Sequence, residues 1–414
     1  MESFSKNNLQ RDNLDQIGNN SELINLIKKD YFLNKFLPLH WSLWSKESKI
    51  LLTLIFAWSC IGIFVLGSAS WWAASKEYAD GIYYLRRQLL WLIPSLSIFT
   101  IVIHTRIRFW LKISKSCFYI FMILIVATIF FGSSINGSSR WLILGNLQMQ
   151  PSELIKPFAI LVSANFFSYW KNYKISKKIK TISIFAILIL LIMKQPNLST
   201  AALIGSLFWI IGLASGVRYK SLLSASTIGL ILGIISIIWN DYQRLRIISF
   251  LNPWDDPQGR GYQLIQSLFA IGSGGMFGEG FGLSMQKLQY LPIQNTDFIF
   301  AVFAEEFGFL GSFLFIVFLI FFAYLGLKIA LRASTNQIKL IVIGSISILV
   351  GQSIMHIAVA TGTMPTTGLP LPFVSYGGNS LISSFFIAGL LIRASIESSE
   401  LFKKSNLTKR YKQI

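Results

Sequence analysis

Long apolar runs without a charged residue recur along the chain and constrain its fold more than any other feature. A helix that crosses the hydrocarbon core of a bilayer needs roughly 17 to 25 apolar residues. In a chain with only 13% charged residues, runs of this length predict an integral membrane protein rather than a soluble domain. Six runs predict one span each, and they are Ile50 to Ser75, Gln88 to Thr105, Ser116 to Ser139, Gln195 to Val217, Ser221 to Asn240 and Phe307 to Leu327.

Four further spans follow from weaker patterns. Pro157 to Trp170 and Thr181 to Met193 are shorter apolar segments on either side of a basic cluster. The uncharged stretch from Leu340 to Ile392 is too long for one helix, and Pro and Gly residues between Met364 and Ser380 interrupt it. Such backbone is tolerated at membrane depth only where it lines a cavity or is buried in protein. We therefore expect two spans around a re-entrant loop, and an all-α integral membrane protein of about ten transmembrane helices.

The basic residues lie mostly on one side of the predicted bundle. When connections are assigned alternately to the two sides, the side of the N-terminus holds 27 of the 37 Lys and Arg residues and 8 of the 18 Asp and Glu residues, a formal charge of +19. The other side holds ten of each and is neutral. Because basic loops stay in the cytoplasm, we expect both termini to be cytoplasmic. The basic residues border span ends rather than forming a groove-sized patch, so no nucleic acid partner is expected.

Three regions follow from this pattern. Residues 1–48 form a cytoplasmic N-terminal arm, residues 49–393 the transmembrane domain, and residues 394–414 a cytoplasmic tail. The arm contains no short apolar core with a cleavage site, so we expect it to stay attached. Residues 241–297 form a large extracytoplasmic loop between helices 7 and 8, and aromatic residues alternate there with turn residues. This composition predicts a folded cap rather than a linker.

Acidic residues mark the entry into the eighth span. If one helix holds Asp297 and Glu305, these residues are about 12 Å apart along its axis and about 80° apart around it. That separation is too large for a carboxylate pair and disfavours a hydrolase that uses two opposed acids. Two alternatives stay open: Asp297 in the first turn of a helix capped by Asn295 or Thr296, or a single carboxylate that acts as a general base or anchors a metal ion.

A charged pair begins the fourth span. Glu153 and Lys156 are three residues apart and can pair on one helical face, and Arg140 precedes them by a short loop. Either the pair is structural and lets two charges sit near the membrane, or it belongs to a site for a polar substrate.

Five motifs together resemble the SEDS family, named for shape, elongation, division and sporulation. The resemblance runs from about Lys49 to Arg393 and includes the ten-span topology. The segment from Phe250 to Trp254 is more similar to the division branch of the family than to its elongation branch. The motifs are Gln150-Pro151-Ser152-Glu153-x-x-Lys156, Gln195-Pro196-Asn197-Leu198-Ser199-Thr200-Ala201, Gly261-Tyr262-Gln263-x-x-Gln266-Ser267, Thr296-Asp297-Phe298-Ile299-Phe300-Ala301 with Glu305-Glu306-x-Gly308, and Ser375-Tyr376-Gly377-Gly378.

The resemblance implies a peptidoglycan glycosyltransferase that polymerises lipid II at the outer face of the bacterial cytoplasmic membrane, at the division septum. It implies Asp297 as the general base, or as the anchor of a divalent cation, Mg²⁺ or Mn²⁺. The expected partners are a class B penicillin-binding protein, which is a transpeptidase, and other membrane proteins of the division machinery. The residues expected to bind substrate are Arg140, Glu153, Lys156, Gln195, Gln263, Ser375 and Tyr376.

Other functions stay open at this point. Asn197 and Asn295 stand where the family usually has Asp and His. The chain could instead be an elongation polymerase, a lipid II flippase or other transporter, or a catalytically idle scaffold. A flippase should line its path through the midplane with polar groups, whereas the charges here concentrate at the outer boundary, and among the spans only His356 is deep.

Overall fold

The computed structural model describes residues 44–135, 138–145, 147–288 and 290–411. The predicted arm lies outside these ranges up to residue 43, as do residues 412–414 of the predicted tail. The α-helices are α1 (Lys46–Tyr78), α2 (Tyr83–His104), α3 (Ile107–Phe131), α4 (Pro151–Leu154), α5 (Lys156–Ser168), α6 (Ile175–Lys194), α7 (Leu198–Ala214), α8 (Tyr219–Trp239), α9 (Asp241–Leu251), α10 (Tyr262–Ser273), α11 (Ile299–Leu331), α12 (Asn336–Ala360) and α13 (Gly378–Tyr411). The strands are β1 (Ser133–Ile135), β2 (Ser138–Leu144) and β3 (Leu147–Met149).

The transmembrane bundle agrees with the ten predicted spans. Seven helices in the described part of the chain are long and apolar enough to cross a membrane: α1, α2, α3, α8, α11, α12 and the first part of α13, Gly378–Ser398. The other three predicted spans correspond to α5, α6 and α7, which are shorter or carry lysines at one end. The chain is therefore a multi-pass membrane protein with a mostly helical fold, as predicted.

Burial differs sharply between these helices. α13 is the most enclosed of them, since 94% of the residues in its apolar 18-residue stretch are buried. It packs against α2, α12 and α1. In α8 only 6% of the corresponding stretch is buried, and Ile228, Leu230 and Ile231 are exposed along the helix. An exposed apolar surface of this length is stable in lipid rather than in water.

A small antiparallel sheet replaces the end of the third predicted span. Helix α3 ends at Phe131, because Gly132 adopts an extended conformation, so the run from Ser116 to Ser139 is not one span. The strands have the order β1-β2-β3, and Ile143 pairs with Gln148. An uncharged run thus holds both a helix and the start of a hairpin, which composition does not distinguish.

The large loop of residues 241–297 is folded, as predicted, and contains α9 and α10. A glycine-rich turn follows α10 and meets a break in α11 at Gly308, whose φ of 65° and ψ of −165° are not helical. The turn completes the hydrogen bonding that this break interrupts. Its four bonds run from Glu279 N to Glu305 O (3.0 Å), from Gly280 N to Glu306 O (3.1 Å), from Phe309 N to Gly275 O (2.9 Å) and from Leu310 N to Met276 O (3.0 Å).

The loop between α12 and α13 enters the bundle. The ring of Phe373 lies 5.1 Å from that of Trp58, and a Cβ placed on Gly62 would meet the Phe373 carbonyl oxygen at 2.2 Å. Because Trp58 and Gly62 lie in the middle of α1, this contact confirms the predicted re-entrant loop.

Candidate active site

A cavity of about 450 Å³ opens at the end of the bundle where α1 ends and α2 begins. The small sheet, the large loop and the re-entrant loop all contribute to its walls. Among the described residues that line it, one is acidic and three are arginines, so the cavity suits a ligand with more than one negative charge. Its polar and aromatic residues include Tyr84, Arg87, Trp91, Arg140, Trp141, Gln148, Gln150, Tyr242, Arg246, Asn295, Thr296, Asp297, Tyr376, Asn379 and Ser380.

Asp297 is the acidic residue of this cavity. Its backbone N–H donates to the Ile293 carbonyl at 3.2 Å, which closes a turn before the helix. Helix α11 begins at Ile299, and its N-cap residue, Phe298, makes no side-chain capping bond. The predicted cap by Asn295 or Thr296 is therefore wrong, and Asp297 lies outside the first turn of the helix. Its carboxylate is free to serve the cavity.

Burial and nearby charges act on this carboxylate in opposite directions. Burial raises the pKa of Asp297 to about 6, while Arg246, a hydrogen bond from Thr296 and Arg140 each pull it down. A carboxylate with a pKa near 6 is ionised at neutral pH and is still basic enough to accept a proton from a reacting hydroxyl.

The guanidinium groups of Arg140 and Arg246 are positioned by hydrogen bonds to backbone carbonyl groups. Arg140 donates to the carbonyl oxygens of Gln195, at 3.2 Å, and Pro196. Arg246 donates to the Thr366 carbonyl at 3.1 Å and lies over the Tyr242 ring at 4.6 Å. Each guanidinium has five N–H donors, so several remain for a ligand in the cavity.

Gly368 shows how near Arg140 and Asp297 are to each other. A Cβ placed on this glycine would lie 3.5 Å from Arg140 Nη1 and 3.6 Å from Asp297 Oδ2. The cation and the carboxylate therefore face the same point of the re-entrant loop.

Sequence reasoning missed Arg246 and Tyr242. They are four residues apart on α9, so a helix inside the large loop would have placed them on one face. Their composition resembled that of an ordinary polar loop, and no neighbouring motif identified them.

Three of the eight predicted site residues line the cavity, namely Arg140, Asp297 and Tyr376. Gln195 lies outside its lining and turns its side chain toward α3, where it donates to the Ile125 carbonyl at 3.2 Å. Only the backbone carbonyl of Gln195 reaches the site, through Arg140. Gln263, on α10, also lies outside the lining.

Ser375 lies outside the lining of the cavity and connects two segments that form its walls. Its hydroxyl donates to the Thr296 carbonyl at 2.7 Å and accepts a bond from the Leu371 N–H at 2.8 Å. The next residue, Tyr376, donates its backbone N–H to the Asn295 carbonyl at 2.9 Å. The re-entrant loop is thereby bonded to the segment that carries Asp297.

Glu153 and Lys156 form the predicted pair, with 2.6 Å between Lys156 Nζ and Glu153 Oε1. Both side chains are almost fully buried and lie outside the lining of the cavity. Lys156 also donates to Gln352 Oε1 on α12, at 2.9 Å. The pair therefore belongs to a polar network within the bundle.

The acidic residues of α11 have structural partners as well. Glu306 is paired with Lys287 at 2.8 Å, and Glu305 accepts the backbone N–H groups of Met285 and Gln286 at 2.9 and 3.3 Å. Both carboxylates attach the large loop to the bundle, which leaves Asp297 as the acid that faces the cavity.

Comparison with known proteins places this arrangement in a family. The family model described as cell cycle protein, FtsW/RodA/SpoVE, matches residues 48–400. A protein of Mesostigma viride, provisionally named peptidoglycan glycosyltransferase FtsW, is 48% identical over 355 residues, 86% of each chain. A Synechocystis protein provisionally given the same name is 45% identical over 358 residues, which cover 86% of this chain and 91% of the relative.

The solved structures agree with the sequence relatives. A chain of a peptidoglycan synthase complex that coordinates polymerization and crosslinking aligns with a TM-score of 0.68 and 27% identity, covering 88% of this chain and 99% of that one. The match to the family model, residues 48–400, includes the bundle and all the loops that build the cavity. The chain therefore belongs to the FtsW/RodA/SpoVE family of cell cycle proteins, the SEDS family that its motifs resemble, and is more similar to FtsW than to RodA.

Proposed function

We propose that this protein is a peptidoglycan glycosyltransferase of cell division that polymerises lipid II into glycan strands. The names of its relatives support this activity. The observation that carries the proposal is the half-buried carboxylate of Asp297, which faces the cavity together with Arg140 and Arg246. A saccharide linked to a lipid diphosphate matches such a cavity, since its phosphates are anionic and its sugar rings pack on aromatic side chains.

The chemistry assigns a role to each of these groups. The 4-hydroxyl of the acceptor GlcNAc attacks C1 of the donor MurNAc, and the bond from C1 to the diphosphate oxygen breaks. The electron pair of that bond leaves with undecaprenyl diphosphate, and the hydroxyl proton passes to the Asp297 carboxylate. Arg140 and Arg246 stabilise the negative charge that develops on the leaving diphosphate.

A divalent cation is compatible with this arrangement through Asp297. No group of three or more His, Cys, Asp or Glu side chains suited to a metal ion occurs in the described ranges. Mg²⁺ often binds one or two carboxylates together with substrate phosphates, and Asp297 with a bound diphosphate would supply such ligands. A bound cation would neutralise diphosphate charge and lower the pKa of a coordinated hydroxyl.

The charge distribution supports a location on the outer side of the membrane. The loops at the cavity end carry no net charge, and the basic loops lie at the other end. Under the positive-inside rule both termini face the cytoplasm, and the cavity opens at the outer face. Membership of a cell cycle family and similarity to FtsW support a place at the division septum. The coordination of polymerization with crosslinking in the related complex supports a class B penicillin-binding protein as partner.

The test is lipid II polymerisation by the purified protein in detergent, with and without Mg²⁺ or Mn²⁺ and with and without the transpeptidase. We expect glycan strands from the wild type and a loss of at least about a hundredfold in rate for Asp297→Asn. Detergent provides no leaflets between which a lipid could be flipped, so a transporter would make no strands. Wild-type rates from Asp297→Asn would exclude the catalytic role.

A further inference from the structure

Two side chains of α12 hold the re-entrant loop from inside the bundle. Gln352 Nε2 donates to the Pro370 carbonyl at 2.6 Å, and His356 Nδ1 donates to the Leu369 carbonyl at 2.8 Å. These two residues are one helical turn apart on the same face of α12, and they bind consecutive carbonyl groups. Both are buried. In a low-dielectric environment, losing such a bond leaves a buried carbonyl unsatisfied and is costly.

The segment they hold is a wall of the cavity. Pro370 and Gly368 line it, and Gly368 is the glycine that both Arg140 and Asp297 approach. Further along the same loop, Ser375 and Tyr376 are bonded to the carbonyl groups of the two residues that precede Asp297. A displacement at Pro370 is therefore transmitted toward the carboxylate through the bond between Leu371 and Ser375 and the bond between Ser375 and Thr296.

Lys156 fixes the direction of the Gln352 amide. An amide can turn either end toward a neighbour, because its oxygen and nitrogen are similar in size. Lys156 Nζ donates to Gln352 Oε1 at 2.9 Å, and this bond directs Nε2 toward the Pro370 carbonyl. Glu153, at 2.6 Å, balances the charge of Lys156 in the membrane interior.

We propose that Gln352 and His356 are positioning residues for Asp297, and that Glu153 and Lys156 act through Gln352 rather than by binding substrate. The proposal rests on the proposed function for its kinetic consequence. Near-attack geometry explains the expected size of the effect, since a misplacement of about 1 Å can cost about a hundredfold in rate.

The first test is the kinetics of the full-length protein in detergent. We expect Gln352→Met to lower kcat about ten- to a hundredfold while the KM for lipid II changes less than about twofold. Ser353→Ala is the matched control, because Ser353 is buried beside Gln352 but bonds only to its own helix, at Leu349. We expect this control to keep wild-type kinetics.

The second test uses the buried pair. Lys156→Met alone would leave the Glu153 carboxylate buried and unpaired, so the variant to make is Glu153→Gln with Lys156→Met, which removes both charges. If Lys156 acts through Gln352, adding Gln352→Met to this variant lowers kcat no further. If Lys156 binds substrate directly, KM rises and the effects of the changes multiply, which overturns the proposal.

Hydrogen exchange provides a measurement that needs no activity. We expect faster amide exchange in residues 365–377 for Gln352→Met and for His356→Leu, and wild-type exchange for Ser353→Ala. Unchanged exchange in Gln352→Met would overturn the positioning role even if kcat fell. A wild type without polymerase activity would overturn the proposed function alone, because the exchange data would still decide whether α12 holds the loop.

Discussion

At the residue scale, the carboxylate of Asp297 predicts a pH dependence. With a pKa raised to about 6, the group is ionised above that pH and protonated below it. A general base must be ionised, so we expect kcat/KM for polymerisation to fall about tenfold per pH unit below about 6 and to level off above 7. A profile that is flat between pH 5 and 7 would contradict this role.

The same shift predicts a cost in stability. A carboxyl group whose pKa is higher in the folded protein than its ordinary value of 3.8 contributes most to stability at low pH. This contribution is lost as the pH rises from about 3.8 through about 6, because in that window the unfolded chain releases a proton that the folded protein still holds. We therefore expect Asp297→Asn to melt at a higher temperature than the wild type at pH 8 and at the same temperature at pH 4. The exposed Asp255→Asn should melt like the wild type at both pH values.

Arg246 gives a second prediction at this scale. Arg246 is the largest of the influences that lower the Asp297 pKa, so Arg246→Gln should move the acidic limb of the rate profile to higher pH. We expect an activity loss that is larger at pH 6.5 than at pH 8, together with a KM about tenfold higher from the lost charge-assisted bond. Arg244→Gln is the matched control, since Arg244 lies on the same helix but pairs with Asp241 in an exposed position. Equal losses for both variants would refute a specific role for Arg246.

At the scale of elements, the break in α11 is the feature most sensitive to substitution. Gly308 has backbone angles that are open to glycine almost alone, and a Cβ on it would meet Gly278 N at 2.3 Å. We expect Gly308→Ala to lower the free energy of unfolding by at least about 2 kcal/mol, measured by thermal and denaturant melting in detergent. Gly351→Ala is the control, because nothing lies within 4 Å of its Cβ in α12. A Gly308→Ala protein as stable as this control would mean that the break is not needed.

The elements that sequence reasoning predicted are those with a compositional signal. A span is recognised by length and lack of charge, so the ten helices could be found. The sheet after Phe131 could not, because its first residues, up to Ser139, continue the uncharged run that begins at Ser116 in α3. The break at Gly308 was also missed, since it depends on a turn about 30 residues earlier in the chain. A local sequence pattern predicts only local structure. The small sheet and the break at Gly308 both depend on tertiary contacts, so no local pattern predicted them.

At the scale of the whole molecule, the site combines residues that no single motif contains. Asp297 and Arg140 were predicted because they belong to recognisable segments. Gln352 was not, because one amide in a long apolar helix has no distinguishing pattern until its partners are known. Glu305 and Glu306 form part of a strong motif and nevertheless attach the loop to the bundle. A motif therefore indicates that a residue has a role. Only the fold shows whether the residue contacts the cavity or supports the walls of the cavity.

The distribution of charge predicts the orientation of the molecule, which can be measured directly. Asp255 is exposed on the loop at the cavity end, and Lys177 is exposed in the basic cluster at the other end. In a background in which Cys60 and Cys117 are replaced by serine, a membrane-impermeant maleimide added to intact spheroplasts should label Asp255→Cys and leave Lys177→Cys unlabelled. Both cysteines should react once the membrane is permeabilised. Labelling of Lys177→Cys alone in intact spheroplasts would place the cavity on the cytoplasmic side, where an enzyme that builds an external wall could not release its product.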